Sequence, residues 1–358
     1  MEPIFILAAI LIFGVLVAVH EFGHFIAAKL CGVQVNEFSI GMGPALLKKQ
    51  KGDTLYSLRL FPVGGYCAME GEDEEASSDN PRAFGNAAGW KQAIVLVAGA
   101  FMNFLTGLLI VLILYAGAAG FRVPTYGGAI EGYGTENCGL QEGDRILSVD
   151  GHAILVYSNV SLYLSRAGDD VDFVVERDGE RLVLNNVHIP YQERTDEEGN
   201  YTRLRGISIG YDVDPPTIGN KLLYAWNTAI DYVRLVWISL GDLVTGAVGL
   251  RDLSGPVGIV DTMSQVGSAS PTAADAAYNL LTLAALIAVN LAVMNLLPIP
   301  ALDGGRVLFL VLNGILHALF RKKIPAKYEG YVHFVGLAAL LTLSLMVAFS
   351  DVGKIIGI

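Results

Sequence analysis

The chain has 358 residues, of which 53% are hydrophobic and 16% charged, well below the charged share of about a quarter that soluble domains carry. Its formal net charge is −11, and acidic residues collect in blocks at 70–79 and 193–200. This balance argues against a nucleic-acid partner and for a membrane protein whose extramembrane parts are acidic. Cys31, Cys67 and Cys138 are odd in number and lack metal or disulfide spacing, so they read as plain thiols.

The first element is an apolar helix over about 4–30, whose run FILAAILIFGVLVAV enters HEFGH at His20 to His24. No basic region precedes the run and no small-residue cleavage site follows it, so a retained helix is expected rather than a signal peptide. Residues four apart share a helix face, which lets His20 and His24 offer imidazole nitrogens to one metal with Glu21 beside them. Two neutral imidazoles suit Zn²⁺, a third ligand completes the protein shell, and water takes the open position. The metal lowers the water's pKa toward about 7, and the glutamate takes its proton and passes it to the leaving amine. In hydrocarbon such a cluster is costly unless paired or metal-bound, so chance explains it poorly.

From Val33 to Gly71 the alternation predicts strands, with turns at Gly41-Met42-Gly43-Pro44 and Lys51-Gly52-Asp53. A second span covers about 93–121 and sets Gly99, Asn103 and Gly107 on one helix face, a pattern for close packing. Asn103 is either a hydrogen-bonding group near the metal or a packing amide. From about 124 to 212 the composition turns soluble, with strand-like GGAI, DRILSVDG, VDFVVERDGERLVLNNVHI and GISIG around one short helix near 158–167. The apolar stretch 222–250 contains Asp231, Arg234 and Asp242 and is expected at the outer membrane interface, with Asp231 and Arg234 paired. LSGPVGIV at 253–260 reads as a turn without chemistry.

A third span covers about 274–297, breaks at PIPALDGG and resumes toward residue 320. Pro298 and Pro300 delete two backbone donors and Gly304 and Gly305 loosen the chain, which is tolerated at membrane depth only inside protein or beside a wet cavity. His20 lies roughly 25 Å along its helix. Asp303 reaches a similar depth in a span running the same way and is the best carboxylate for the third ligand. A fourth span covers about 331–349. Lys29, Lys48, Lys49, Lys51, Arg59, Arg82 and Lys91 in one loop, and Arg321, Lys322, Lys323 and Lys327 in another, assign both loops to the cytoplasm and the chain ends outside. His152, His188, His317 and His333 have no partner at ligand spacing and read as ordinary surface or interfacial residues.

HEFGH in the first span, with Asn295-x-x-Pro298 and Leu302-Asp303-Gly304 in a later one, resembles the site-2 protease family of intramembrane zinc metalloproteases, and the match is close to the bacterial branch that trims membrane-bound anti-sigma factors. The resemblance covers nearly the whole chain. It implies His20, His24 and Asp303 as zinc ligands, Glu21 as the residue that activates water, and Asn295 and Pro298 as substrate contacts. Asn295 would hydrogen-bond the substrate backbone or the developing oxyanion. In that family a sheet like that of 33–71 dips into the membrane beside the zinc and holds substrate extended by edge-strand addition. Gly41 and Gly43 there, and Asn103 in span two, join the candidate substrate contacts. GLQEGDRILSVDGHAI at 139–154 resembles part of a PDZ domain, which would receive a peptide end and admit only substrates already shortened outside.

The expected fold is a multi-pass α-helical membrane protein of about four spans with a membrane-associated β-sheet and one extracytoplasmic PDZ-like α+β domain. Its parts are the first transmembrane helix (1–31), a cytoplasmic-side β region (32–91), the second helix (92–121), the PDZ-like domain (122–214), an interfacial helix and linker (215–273), the third transmembrane segment (274–320) and the fourth helix with its tail (321–358). The expected protein lies in the bacterial inner membrane, its active site toward the cytoplasm, and cleaves single-span membrane proteins such as an anti-sigma factor or a signal-peptide remnant. The competing class is a membrane scaffold or chaperone with a structural metal. Glu21 speaks against it, because a structural site needs no acid and usually takes four protein ligands.

Overall fold

The computed structural model describes residues 3–72, 79–195, 201–249, 252–322 and 324–356. Leu250, Lys323 and the acidic stretches 73–78 and 196–200 lie outside the described residues. The chain forms two compact units, one from Met1–Leu114 with Tyr232–Ile358 and one from Tyr115–Asp231.

The first unit opens with α1 (Pro3–Cys31), β1 (Val35–Lys51), β2 (Thr54–Met69) and α2 (Gly89–Ala116). Both strands double back. Residues 35–40 pair with 65–69 (Phe38 opposite Cys67), 45–51 pair with 54–59, and 37–40 also lie beside 55–58 (Phe38 opposite Tyr56). Four ribbons therefore run side by side in the order 45–51, 54–59, 35–40, 65–69, with 65–69 at one edge. The expected turns fall where the chain reverses: Gly41, Gly43 and Gly52 have φ of +83°, +84° and +59°, a region open to glycine without a Cβ penalty. The sheet is fixed to α1 and α2 by a core of Ala28, Val35, Phe38, Met69 and Val95. At Gly14 a Cβ would lie 2.1 Å from the Pro62 carbonyl oxygen, so α1 and β2 meet backbone to backbone.

In the second unit, β3 (Phe121–Ala129), β4 (Arg145–Val149), β5 (His152–Ala153), α3 (Asn159–Arg166), β6 (Asp170–Arg177), β7 (Glu180–His188), β8 (Gln192–Thr195), β9 (Tyr201–Leu204) and β10 (Ile207–Asp214) follow in order. Six of these form a sheet ordered β10-β3-β4-β6-β7 with β5 on β4. Alternation directs Val171, Phe173 and Val175 of β6 inward, with Val175 opposite the buried Ile146 and Phe173 opposite the buried Val149 of β4. β3, β4, β6, β7, β10 and α3 fall on the stretches the sequence marks, whereas β5, β8 and β9 are not expected from it.

The chain continues through α4 (Ile218–Thr245), α5 (Pro256–Ala269), α6 (Ala273–Asn295), α7 (Asp303–Phe320) and α8 (Ala326–Ile356). Among the described residues, five helices are long and apolar enough to cross a membrane: α1, α2, α6, α7 and α8. A count of four joins α6 to α7; the break at 296–302 separates them. The stretch expected as a linker also contains α5, whose Met263 packs with Ala9 of α1 and Leu280 of α6. Its N-terminus is held by Asp351 of α8, which accepts the Gly255 and Gly258 N–H groups, both at 2.8 Å. This contact explains the glycines of LSGPVGIV, since a Cβ at either position would lie about 3 Å from the Asp351 carboxylate.

Candidate active site

α1 is helical through HEFGH, and His20 and His24, one turn apart, are both buried. Asp303 begins α7, where the helix dipole favours negative charge. The three side chains converge: Asp303 Oδ2 lies 3.1 Å from His20 Nε2 and 3.3 Å from His24 Nε2, and the two Nε2 atoms are 3.2 Å apart. Asp303 Oδ2 is buried and accepts no hydrogen bond from any described residue. Three electron-pair donors pointed at one another are repulsive unless they share a cation. Zinc bonds of about 2.0–2.1 Å in a tetrahedron separate neighbouring ligand atoms by about 3.3 Å, so the observed triangle has the right size for that ion.

The surrounding groups set the imidazole protons. His24 Nδ1 lies 2.8 Å from the Val95 carbonyl oxygen and must donate to it, which leaves the Nε2 lone pair for a metal. His20 Nδ1 faces the Asn103 amide at 3.4 Å, and Asn103 Oδ1 is buried without a donor among the described residues. Rotating the amide by half a turn lets Oδ1 accept the His20 Nδ1–H, in the tautomer that frees Nε2. Gly99, one turn before Asn103, explains the tight approach of α2: a Cβ there would lie 2.3 Å from His24 Nε2. Gly107 does the same toward α6, where a Cβ would meet Val289 at 2.7 Å.

Glu21 is placed by the sheet. Its Oε2 accepts the Cys67 N–H at 3.1 Å, on the edge ribbon 65–69. The sequence carried no signal for this contact, which joins residues 46 positions apart. Next along that ribbon, the Met69 N–H donates to Glu72 at 3.3 Å, and Glu72 pairs with Arg306 of α7.

Asn295 ends α6, half-buried, and its side-chain amide makes no hydrogen bond to any described residue. Pro298 is exposed and lines, with Phe101, Phe104, Trp237 and Leu297, an apolar cavity of about 340 Å³ between α2, α4 and α6. Gly304 and Gly305 do not loosen the chain, contrary to expectation. They are buried, and a Cβ on either would lie 2.3 Å from a carbonyl oxygen, of Leu297 and of Ile299 respectively, so they let 296–302 fold tightly onto the first turn of α7. Gly41 and Gly43 form a bend in the sheet, their carbonyls taken by Ser39 Oγ and the Arg59 guanidinium.

The chain matches the model of Peptidase family M50 over residues 8–343. It belongs to that family. A protein of Clostridium perfringens, named as a candidate zinc metalloprotease, is 35% identical over 351 residues, covering 97% of this chain and 98% of the relative. Zinc metalloprotease RasP of Shouchella clausii is 30% identical, with 98% and 99% covered. The regulator of sigma-W protease RasP of Bacillus subtilis is 28% identical, with 98% of each chain covered. The M50 protein described here is thus a zinc metalloprotease of the site-2 protease type and an integral membrane protein.

Proposed function

We propose that this peptidase cleaves single-span membrane proteins within the bilayer, after their outer ends have been shortened, with His20, His24 and Asp303 holding zinc and Glu21 as general base. The convergence of the three donor atoms at 3.1–3.3 Å is the observation that carries the reading. When bound, zinc supplies a Lewis acid and an acidified water. Glu21 takes the proton of the attacking water and gives it to the leaving amine; the Cys67 N–H steadies one of its oxygens and leaves the other for the proton. Asn295, with its amide uncommitted, would hydrogen-bond the substrate backbone or the oxyanion. Ribbon 65–69 ends the sheet beside Glu21, with its Cys67 and Met69 N–H groups held by Glu21 and Glu72; a substrate strand added there would displace the Glu72 contact and uncover a scissile carbonyl that a helix hides.

The six-stranded antiparallel sheet and the short helix α3 of the second unit support the PDZ-like reading and a role in admitting shortened chain ends. For topology we keep four crossings. α7 is the least apolar of the five candidate helices, and laying it along the inner leaflet keeps Arg321, Lys322 and Lys327 on the same side as Lys48, Lys49 and Lys51. The relative named as regulator of sigma-W protease makes a membrane-bound anti-sigma factor the first substrate to try. The test is co-reconstitution with a single-span substrate in long and shortened forms: the short form should be cut, and equal cutting of both would remove the gating role.

A further inference from the structure

The loop that delivers Asp303 satisfies its own backbone donors with one exception. Pro298 and Pro300 have no N–H, the Ile299 N–H donates to Leu297 and the Leu302 N–H donates to Ile299. The remaining one, of Ala301, leaves the loop and donates to His333 Nδ1 of α8 at 2.9 Å. Ala301 is also where the backbone is strained, with φ of +77°, a left-handed conformation that alanine does not hold unaided. One turn further along α8, a Cβ on Gly336 would lie 2.5 Å from Pro300 Cβ and 2.8 Å from its carbonyl oxygen. His333 and Gly336 thus share a face that presses on Pro300 and Ala301 from outside the loop.

The histidine is a poor choice for packing alone. With Nδ1 accepting, Nε2 carries the proton, and it is buried without a partner among the described residues. A phenylalanine would fill the place beside Phe309, whose ring centroid is 5.3 Å away, without an orphaned donor. What the histidine supplies and a hydrocarbon ring lacks is the acceptor for Ala301.

We propose that His333 is a positioning residue for the metal site: by accepting the Ala301 N–H it holds the left-handed turn that sets the Asp303 carboxylate two residues on. The proposal rests on Asp303 being a zinc ligand. It makes the last helix, which contributes no ligand, a determinant of zinc affinity.

The experiment measures zinc affinity by chelator competition, and kcat and KM on a single-span substrate, for the full chain in detergent. The variants are His333→Phe, His333→Asn, His333→Phe with Ala301→Gly, and Asp303→Ala. His333→Phe should weaken zinc binding about 10–100-fold and lower kcat with little change in KM, as loss of a group that orients a ligand does. His333→Asn, whose Oδ1 can take the place of Nδ1, should restore most of both. Ala301→Gly should recover part of the loss in the His333→Phe background, because glycine adopts the conformation unaided. Wild-type affinity and kcat in His333→Phe would overturn the proposal, as would a His333→Asn as defective as His333→Phe. Zinc bound at wild-type affinity by Asp303→Ala would instead remove the ligand assignment on which the proposal stands.

Discussion

A single methyl group at Gly99 would occupy the space of the imidazoles, 2.3 Å from His24 Nε2 and 2.7 Å from His20 Cε1. Gly99→Ala should therefore lower zinc occupancy about as much as loss of a ligand, while Gly117→Ala, whose Cβ meets nothing within 4 Å, should leave it unchanged. Metal analysis of the two purified proteins checks this. Asn103 gives a second residue-level expectation. Asn103→Leu removes the acceptor for His20 Nδ1–H and should cost about 10–100-fold in zinc affinity, whereas Asn103→Asp keeps an acceptor and should retain most of it. Equal affinities in chelator competition would return Asn103 to a packing role. At this scale the sequence was legible where chemistry is local. His20, Glu21 and His24 declare themselves by helical spacing, and Asp303 by depth along its span. His333 did not, because its partner Ala301 lies 32 residues away and the contact exists only once α8 packs on the loop.

Between elements, the clearest device is the carboxylate of α8 at the start of α5. Asp351 is 2% exposed, and its Oδ2 serves two N–H groups that no residue of α5 can satisfy. Asp351→Ala should destabilise the helical unit by about 1–3 kcal/mol, with Asp351→Asn intermediate, measured by thermal unfolding in detergent. An unchanged midpoint would show that water satisfies that end. The partners are 93 and 96 residues apart, so Leu253 to Val260 could be read as a turn but not as a cap held from another helix. The sheet of β1 and β2 was easier, since alternation and glycine turns are local signals. Its bending back, which puts 65–69 at the edge beside Glu21, depends on pairings that alternation does not specify. The separation of α6 from α7 was half visible: the two prolines announced the break, but their neighbouring glycines looked like slack when they serve close contact.

For the molecule as a whole, the two units answer to different forces. The helical unit exposes apolar side chains, such as Leu345, Phe334 and Phe349, on its surface, whereas the second unit buries an alternating strand core. Asp144 of that unit is 1% exposed and receives the Arg177 guanidinium in two hydrogen bonds of 2.7 Å. Burial alone would push its carboxyl up, but Arg177 and the Gln141 N–H outweigh burial and hold it below the usual carboxylate range. Because the folded value lies below the unfolded value of about 3.9, the pair stabilises fully above that pH and is lost as pH falls through the folded value. Hydrogen exchange in β4 and β6 should thus keep its protection from pH 7 to about 5 and lose it below about 4. Arg177→Met should weaken that protection at pH 7, because it leaves the buried Asp144 carboxylate without its guanidinium partner. The same protection in both proteins at pH 7 would show that the pair is not structural.

The central claim is that Glu21 moves the proton at a zinc site built by His20, His24 and Asp303. The most direct measurement is cleavage of a shortened single-span substrate by wild type and Glu21→Gln reconstituted side by side, with zinc quantified in both. Equal zinc, with turnover lowered about 10²–10⁴-fold in Glu21→Gln, is the expected result. Full turnover by Glu21→Gln at equal zinc would contradict it.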